Sequence, residues 1–121
     1  EKQMRTLNDY FIMGGNMTAI QTANNPSPVV VIPDGGKLEE ILLNPHTVIG
    51  GTAVTFDIMV NGADSGIDAT LAASTVDETT ASLTIGGDIN LFAGDALNLL
   101  SNGEQAAATT ADLTYIVRRM G

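Results

Sequence analysis

The chain has 121 residues, no Cys and a formal net charge of −9, with 14 acidic and 5 basic residues. This length fits one domain with its own hydrophobic core, and the missing Cys excludes a disulfide framework and a thiolate metal site. The negative charge disfavours binding to nucleic acid or to an anionic membrane, and no apolar run approaches the ~18 residues that a membrane-spanning helix needs.

Residues 1–28 are predicted to form an extended N-terminal arm. Apolar residues recur there without a clean period, Gly14-Gly15 interrupts any helix or strand, and Asn24–Pro28 is typical of a loop. One short strand near Tyr10–Met13 fits the pattern. Because Met side chains adapt to irregular apolar surfaces, we expect the arm to dock on a partner, with a disordered tail as the alternative.

Beyond the arm, the sequence is typical of β-structure. The β-branched run Val29–Ile32 is followed by the turn sequence Pro33–Gly36. Residues 37–43 predict a strand, or a strand with a bulge, because Asn44-Pro45 ends them; a short helix is the alternative, since they are good helix formers. Apolar and polar residues alternate strictly over 54–60, which predicts a strand with one buried face.

Further alternating segments follow at intervals of ~8–12 residues, separated by turn residues. They centre on residues 67–71, 81–85, 89–91, 97–99 and 113–117. Asn61-Gly62 tolerates positive φ and favours a turn after the strand at 54–60. About eight short strands with no segment of helical period predict an all-β, jelly-roll-like β-sandwich over residues 29–121.

The sequence contains no catalytic arrangement. His46 is the only His, and no Ser lies in a Gly-x-Ser-x-Gly setting, so we expect His46 to be a solvated loop residue. Glu39 and Glu40, as neighbours on a strand, are expected to point to opposite faces, which prevents them from meeting on one substrate atom. The oxygen-rich stretch 61–68 lacks EF-hand spacing and favours a plain hairpin. We therefore predict no enzyme activity, no cofactor and no metal.

The basic residues lie near the two ends of the chain, and Lys37 is the only one between Thr6 and Val117. Such ends are either solvated or contact an acidic partner. Basic and apolar residues of the arm, the C-terminal strand and one polar strand face form the predicted set of partner contacts. This set comprises Met4, Arg5, Phe11, Met13, Met17, Met59, Arg118 and Arg119.

Three segments together resemble the jelly-roll domains of tailed-bacteriophage virion proteins: Val60–Gly62, Ala93–Leu99 and Ala111–Val117. Over residues 29–118 the chain is similar to a phage capsid decoration (cement) protein, and more loosely to the jelly-roll tips of phage fibres. The resemblance implies a homotrimer, made in the host cytoplasm, that binds the major capsid protein on the outer capsid surface of the virion. Such a protein has no active site and stabilises the assembled shell by mass action and avidity.

The alternative is a binding module, either a phage-fibre tip or a TNF-like or C1q-like trimeric head, that recognises a receptor or a glycan. Carbohydrate sites usually present an exposed aromatic ring on which a sugar stacks. The chain has 3 Phe, 2 Tyr and no Trp, and this scarcity favours the capsid interpretation over the glycan one.

Overall fold

The computed structural model describes residues 9–119 and shows an all-β fold without a helix in that range. The strands are β1 (Asp9–Met17), β2 (Asn25–Pro26), β3 (Val30–Val31), β4 (Gly36–Pro45), β5 (Val54–Val60), β6 (Ala63–Leu71), β7 (Ala81–Ser82), β8 (Thr84–Ile85), β9 (Asn90–Leu91), β10 (Ala96–Ser101) and β11 (Ala111–Arg119). The helix considered as an alternative over residues 37–43 is therefore wrong, because these residues belong to β4. Nor does any helix in this range have the length and apolarity that crossing a membrane requires.

The strands form two antiparallel sheets. The first has the order β1–β11–β4–β7, with β9 also paired to β4; the second has the order β2–β10–β5–β6–β8, with β3 also paired to β10. Inward-facing residues of both sheets make one core, in which Phe56, Leu99 and Tyr115 are fully buried. The period of two seen in the sequence thus selects the core face of β5, β10 and β11, and the predicted jelly-roll-like sandwich is confirmed.

A β-bulge in β1 changes which of its side chains face the core. The pairing of β1 with β11 skips Gly14, and Gly15 takes a φ of +80°. A Cβ on Gly14 would lie 2.7 Å from Cε2 of Tyr115, so the strand passes the ring only where there is no side chain. Because the extra residue reverses the alternation, Met13 faces solvent and Met17 is buried.

The segment predicted as an arm is consequently part of the sandwich from Asp9 onward. Strand β1 pairs with β11 from Asp9 to Met17, and β2 pairs with β10. Residues 1–8 lie outside the described part of the chain. Gly14-Gly15 was predicted to interrupt any helix or strand, whereas these glycines form a bulge within one continuous strand.

Strand β4 confirms the prediction of a strand with a bulge. Its pairing with β11 skips Glu39, so Leu38 and Ile41 both enter the core although they are three residues apart. Glu39 and Glu40 consequently both lie outside the core. The expectation that these two carboxylates point to opposite faces was wrong, because it assumed an unbroken period of two.

Candidate binding surfaces

The part of the chain that the structure describes encloses no pocket. The candidate binding sites are therefore exposed surfaces of the sandwich. Within residues 9–119, no three His, Cys, Asp or Glu side chains are arranged to hold a metal ion. The stretch 61–68 forms a hairpin between β5 and β6, as its sequence favoured, with an irregular register between the pairs Asp57–Asp68 and Met59–Asp64. Asn61 and Gly62 take φ values of +54° and +80° in the turn, and Gly66 N donates to Asp64 Oδ1 at 2.8 Å.

The outer face of β5, β6 and β10 is lined by polar side chains around two apolar ones. We call it the polar face; it comprises Thr55, Asp57, Met59, Asp64, Asp68, Thr70, Asn98, Leu100 and Asn102. The strand register places Met59 between Asn98 and Asp64. Amide, hydroxyl and carboxylate groups therefore lie side by side on one continuous surface of these strands.

Two carboxylates of the polar face oppose each other directly, Asp57 on β5 and Asp68 on β6. Like charges at such positions destabilise an antiparallel pair. The pKa of Asp68 is raised, first by burial, then by the charge of Asp57 and by a hydrogen bond with Asp57, with the charges of Asp64 and Glu104 contributing in the same direction. The polar face therefore concentrates negative charge and hydrogen-bond acceptors at its centre.

Side chains from the segment after β10 fix one end of the polar face. Asn102 Nδ2 donates to Thr55 Oγ1 at 2.8 Å and to Asp57 Oδ1 at 3.3 Å. Glu104 accepts twice from Thr55, from the backbone N at 2.9 Å and from Oγ1 at 2.6 Å. These contacts hold the polar groups in place before any ligand arrives, which lowers the entropy that binding would lose.

A second kind of surface lies at the edge where β1 of the first sheet runs beside β3 of the second. Among residues 9–119, seven large hydrophobic residues are exposed, and five of them belong to this region. Their exposed fractions are 69% for Phe11, 77% for Met13, 60% for Val29, 66% for Val31 and 72% for Phe92. Single exposed apolar residues are ordinary, but a concentration of this kind is typical of an interaction site.

We call the part of this region on the outer face of the first sheet patch A; it comprises Phe11, Met13, Leu42 and Ile116. The register places Phe11 beside Ile116, and it places Met13 and Leu42 on either side of Thr114. Leu42 and Ile116 are half-buried. Patch A is thus an apolar surface that spans β1, β11 and β4.

We call the part on the second sheet patch B; it comprises Val29, Val31 and Phe92. Val31 lies opposite Ala96 on β10. The turn that carries Phe92 is held against the same segment, because Gly94 N donates to Ile32 O at 2.7 Å. Phe92 N also donates to Asp95 Oδ2 at 2.8 Å, which closes this turn.

His46 connects a loop to the first sheet. Its Nδ1 lies 3.1 Å from Glu78 Oε2, and its Nε2 lies 3.0 Å from Asp112 Oδ2. Hydrogen bonds to Glu78 and then to Asp112 raise the pKa of His46. His46 lies at the surface after β4, as expected of a solvated loop residue, but its two contacts were not predicted, since both partners are distant in the sequence.

The structure separates the predicted contact residues. Phe11, Met13 and Arg118 lie together on the outer face of the first sheet, whereas Met59 lies half-exposed on the polar face. Met17 does not reach the surface, because the bulge in β1 turns it into the core.

The remaining predicted residues lie at the chain ends. Arg119 Nε donates to Asp34 Oδ2 at 2.8 Å, and its guanidinium lies 4.6 Å from the centre of the Tyr10 ring. Met4 and Arg5 lie outside the described residues.

Val29 and Val31 of patch B were not predicted to be exposed. The run Val29–Ile32 was interpreted as a short β-branched strand without an assigned face, and in the structure only Ile32 is fully buried, while Val29 and Val31 face solvent. The period of two was the available signal, because alternate residues of a strand point to opposite faces. Leu42 of patch A was likewise not assigned to a face of its strand, although the same period of two applies to it.

Comparisons with known proteins bear on the fold. No protein-family model matches the chain, and no curated protein matches it. A CBM36-1 domain of a multidomain xylanase from the hindgut metagenome of Trinervitermes trinervoides is similar in structure, with a TM-score of 0.56 at 13% identity over 94% of this chain and 99% of that domain.

Two other solved structures give the same result. The CBM35 of Cellvibrio japonicus Abf62 has a TM-score of 0.53 at 12% identity over 83% of this chain and 74% of that one. A Podospora anserina GH26-CBM35 β-(1,4)-mannanase has a TM-score of 0.56 at 10% identity, over 94% of this chain but only 28% of the mannanase. At these identities the likeness shows the fold alone, which is the jelly-roll β-sandwich of carbohydrate-binding modules.

Proposed function

We propose that this chain is a non-catalytic jelly-roll binding module that recognises a glycan through the polar face. The observation that carries the proposal is the opposed pair Asp57 and Asp68, which is kept at the centre of a surface of hydrogen-bonding groups although the pair destabilises the sheet. A sugar hydroxyl that donates to either carboxylate would relieve this repulsion. The likeness to carbohydrate-binding modules supports the same interpretation.

The chemistry of the polar face suits a neutral sugar. Asn98 and Asn102 supply amide donors and acceptors, and the carboxylates supply charge-assisted acceptors, which make stronger hydrogen bonds than neutral ones. Met59 and Leu100 offer apolar contact to the C–H surface of a sugar ring. The described residues place no aromatic ring on this face, so hydrogen bonds rather than stacking would determine specificity.

Calorimetric titration with soluble xylan, β-mannan and gluco-oligosaccharides tests the proposal. We expect one of these glycans to bind and Asp57→Asn to weaken its binding about tenfold or more, because a hydrogen bond to a charged group is worth about 1.5–3 kcal/mol. Glu40→Gln is the matched control, since Glu40 is also a half-exposed carboxylate but lies on the first sheet. Equal affinity of wild type and Asp57→Asn, or no binding across the panel, would contradict the proposal.

A second candidate is the structural virion protein that the sequence resembles, and the apolar patches A and B favour it. In this proposal a homotrimer binds the major capsid protein on the outer capsid surface, and the patches supply contacts between proteins. Co-sedimentation with assembled capsids, but not with free capsid subunits, is the expected result. Phe11→Asp would abolish co-sedimentation, whereas Asp57→Asn would leave it unchanged.

A further inference from the structure

We propose that Glu104 is a positioning residue that makes one end of the polar face a hydrogen-bond acceptor, so that this end selects sugar hydroxyl groups that donate. The inference rests on the proposed glycan site and adds a specificity to it. It begins from four side chains that are linked in sequence by hydrogen bonds: Glu104, Thr55, Asn102 and Asp57. Glu104 belongs to the segment after β10 and is not itself part of the polar face.

The first of these hydrogen bonds fixes the hydroxyl group of Thr55. Glu104 Oε1 accepts from Thr55 N at 2.9 Å, and Glu104 Oε2 accepts from Thr55 Oγ1 at 2.6 Å. An ionised carboxylate only accepts hydrogen bonds, whereas a hydroxyl group has one proton to donate. Because the proton of Thr55 is donated to Glu104, Thr55 Oγ1 meets its other neighbour, Asn102, as an acceptor.

The next two hydrogen bonds fix the amide group of Asn102. Its Nδ2 donates to Thr55 Oγ1 at 2.8 Å and to Asp57 Oδ1 at 3.3 Å, which uses both of its protons. At neutral pH the reversed amide would place Oδ1 against two oxygen atoms that have no proton to donate, so the reversed orientation is excluded. Asn102 Oδ1 therefore points away from both partners. Within residues 9–119 it receives no hydrogen bond, and it is not fully buried.

The charges around Asn102 Oδ1 favour the same kind of ligand group. Asp57 lies opposite Asp68 across β5 and β6, and the described basic residues belong to β4 and β11 of the other sheet. A ligand at this end of the polar face therefore meets acceptors without a cationic donor beside them. A sugar hydroxyl group that donates is matched there, whereas an anionic sugar would be repelled and would leave the acceptors unpaired.

Glu104→Gln reverses this pattern with almost no change in shape. An amide has one accepting oxygen, so it cannot accept from both Thr55 N and Thr55 Oγ1. When the oxygen of the glutamine keeps the backbone contact, its nitrogen donates to Thr55 Oγ1. The proton of Thr55 then turns to Asn102, whose amide reverses and presents Nδ2 to the ligand. The polar face loses an acceptor and gains a donor.

Calorimetric titration of the full chain with cellotriose, xylotriose and mannotriose tests the inference. Each trisaccharide is compared with analogues in which one hydroxyl group at a time is replaced by fluorine, which is close to a hydroxyl group in size but cannot donate. For the trisaccharide that binds the wild type, we expect at least one analogue to bind about three- to tenfold more weakly, the effect of one lost hydrogen bond. In Glu104→Gln the ratio of these two affinities should approach one. A general loss of structure would lower both affinities and leave their ratio unchanged.

Two substitutions of Thr55 form a matched pair, because valine has the shape of threonine without the hydroxyl group and serine keeps the hydroxyl group. Thr55→Val should bring the affinity ratio close to one, whereas Thr55→Ser and Glu40→Gln should keep the wild-type ratio. Circular dichroism establishes that each variant is folded before its affinities are interpreted.

The outcomes separate this inference from the proposed function. A wild type that binds one of the polysaccharides but no trisaccharide would overturn the inference alone. The same holds for a wild type that binds a trisaccharide and all of its fluorinated analogues equally, and for a Glu104→Gln or Thr55→Val variant that keeps the wild-type ratio. A wild type that binds neither polysaccharide nor trisaccharide would overturn both.

Discussion

The polar face and patch A both lie on the outer faces of the two sheets, yet they are built in opposite ways. On the polar face, Thr55 donates a hydrogen bond to Glu104 and Asp57 accepts one from Asn102, and both partners lie far along the chain. On patch A, Phe11 and Met13 expose most of their surface. The first arrangement suits a small ligand with many hydroxyl groups, and the second suits a large partner that removes apolar area from water.

The largest expected effect distinguishes the two methionines of β1. Met17→Ala should lower the free energy of unfolding by about 2–5 kcal/mol, because a fully buried side chain is removed from the core. Met13→Ala should change it by less than about 0.5 kcal/mol, since Met13 is exposed. Urea unfolding measures both. Similar losses of stability for the two variants would contradict the bulge at Gly14 and the exposure of Met13 in patch A.

A smaller effect tests the bulge itself. Gly14→Ala should cost about 1–3 kcal/mol, because its Cβ would lie 2.7 Å from the Tyr115 ring and 2.8 Å from Leu113 Cβ. Gly51→Ala is the control, since a Cβ there meets nothing within 4 Å. Thermal unfolding compares the two variants. If Gly14→Ala were as stable as Gly51→Ala, β1 would not pass close to Tyr115.

The strands with an unbroken period of two could be predicted from the sequence, including which residues of β5 and β11 are buried. Prediction failed at Gly14, where a bulge in β1 reversed that period. In β4 a bulge was predicted as one possibility, but its effect on the directions of Glu39 and Glu40 was not. A bulge is decided by the fit between two strands that are distant in sequence, and the local pattern does not contain that information.

The candidate sites were harder to predict for the same reason. Thr55, Asp57 and Met59 were recognisable as an outward-facing row, but the carboxylate opposite Asp57 comes from the register of β6. The contacts of His46 likewise involve residues that only the fold brings together. Residue type predicted which positions face solvent, whereas the pairing of strands determined which of them meet.

The third effect in order of size is a change in stability caused by a substitution on the polar face. Asp57→Asn should raise the free energy of unfolding by about 0.2–1 kcal/mol, because it removes one of two like charges that face each other across β5 and β6. The amide has nearly the same shape as the carboxylate, so packing is unchanged. Glu40→Gln should be neutral. Urea unfolding at pH 7 measures the difference, and a loss of stability in Asp57→Asn would show that the pair does not repel.

The smallest expected effect is a pH dependence of the free energy of unfolding. It comes from His46, which lies outside the polar face and both patches. A neutral imidazole has one N–H, whereas both ring nitrogens of His46 face carboxylate oxygens that accept hydrogen bonds, so the protonated ring satisfies both contacts. The folded state raises the pKa of His46. Its contribution is therefore fully present below the ordinary His pKa of about 6.5 and is lost as the pH rises through the raised value.

The composition of the chain makes this dependence easy to isolate. His46 is the only His and there is no Cys, so no other side chain with an ordinary pKa titrates between about pH 6.5 and 8. We expect the urea midpoint of the wild type to fall with rising pH in this window and that of His46→Gln to stay level. A wild-type midpoint that is constant or rises would contradict the ion pairs of His46 with Glu78 and Asp112. Glycan binding should persist in His46→Gln, because the residue lies outside the polar face.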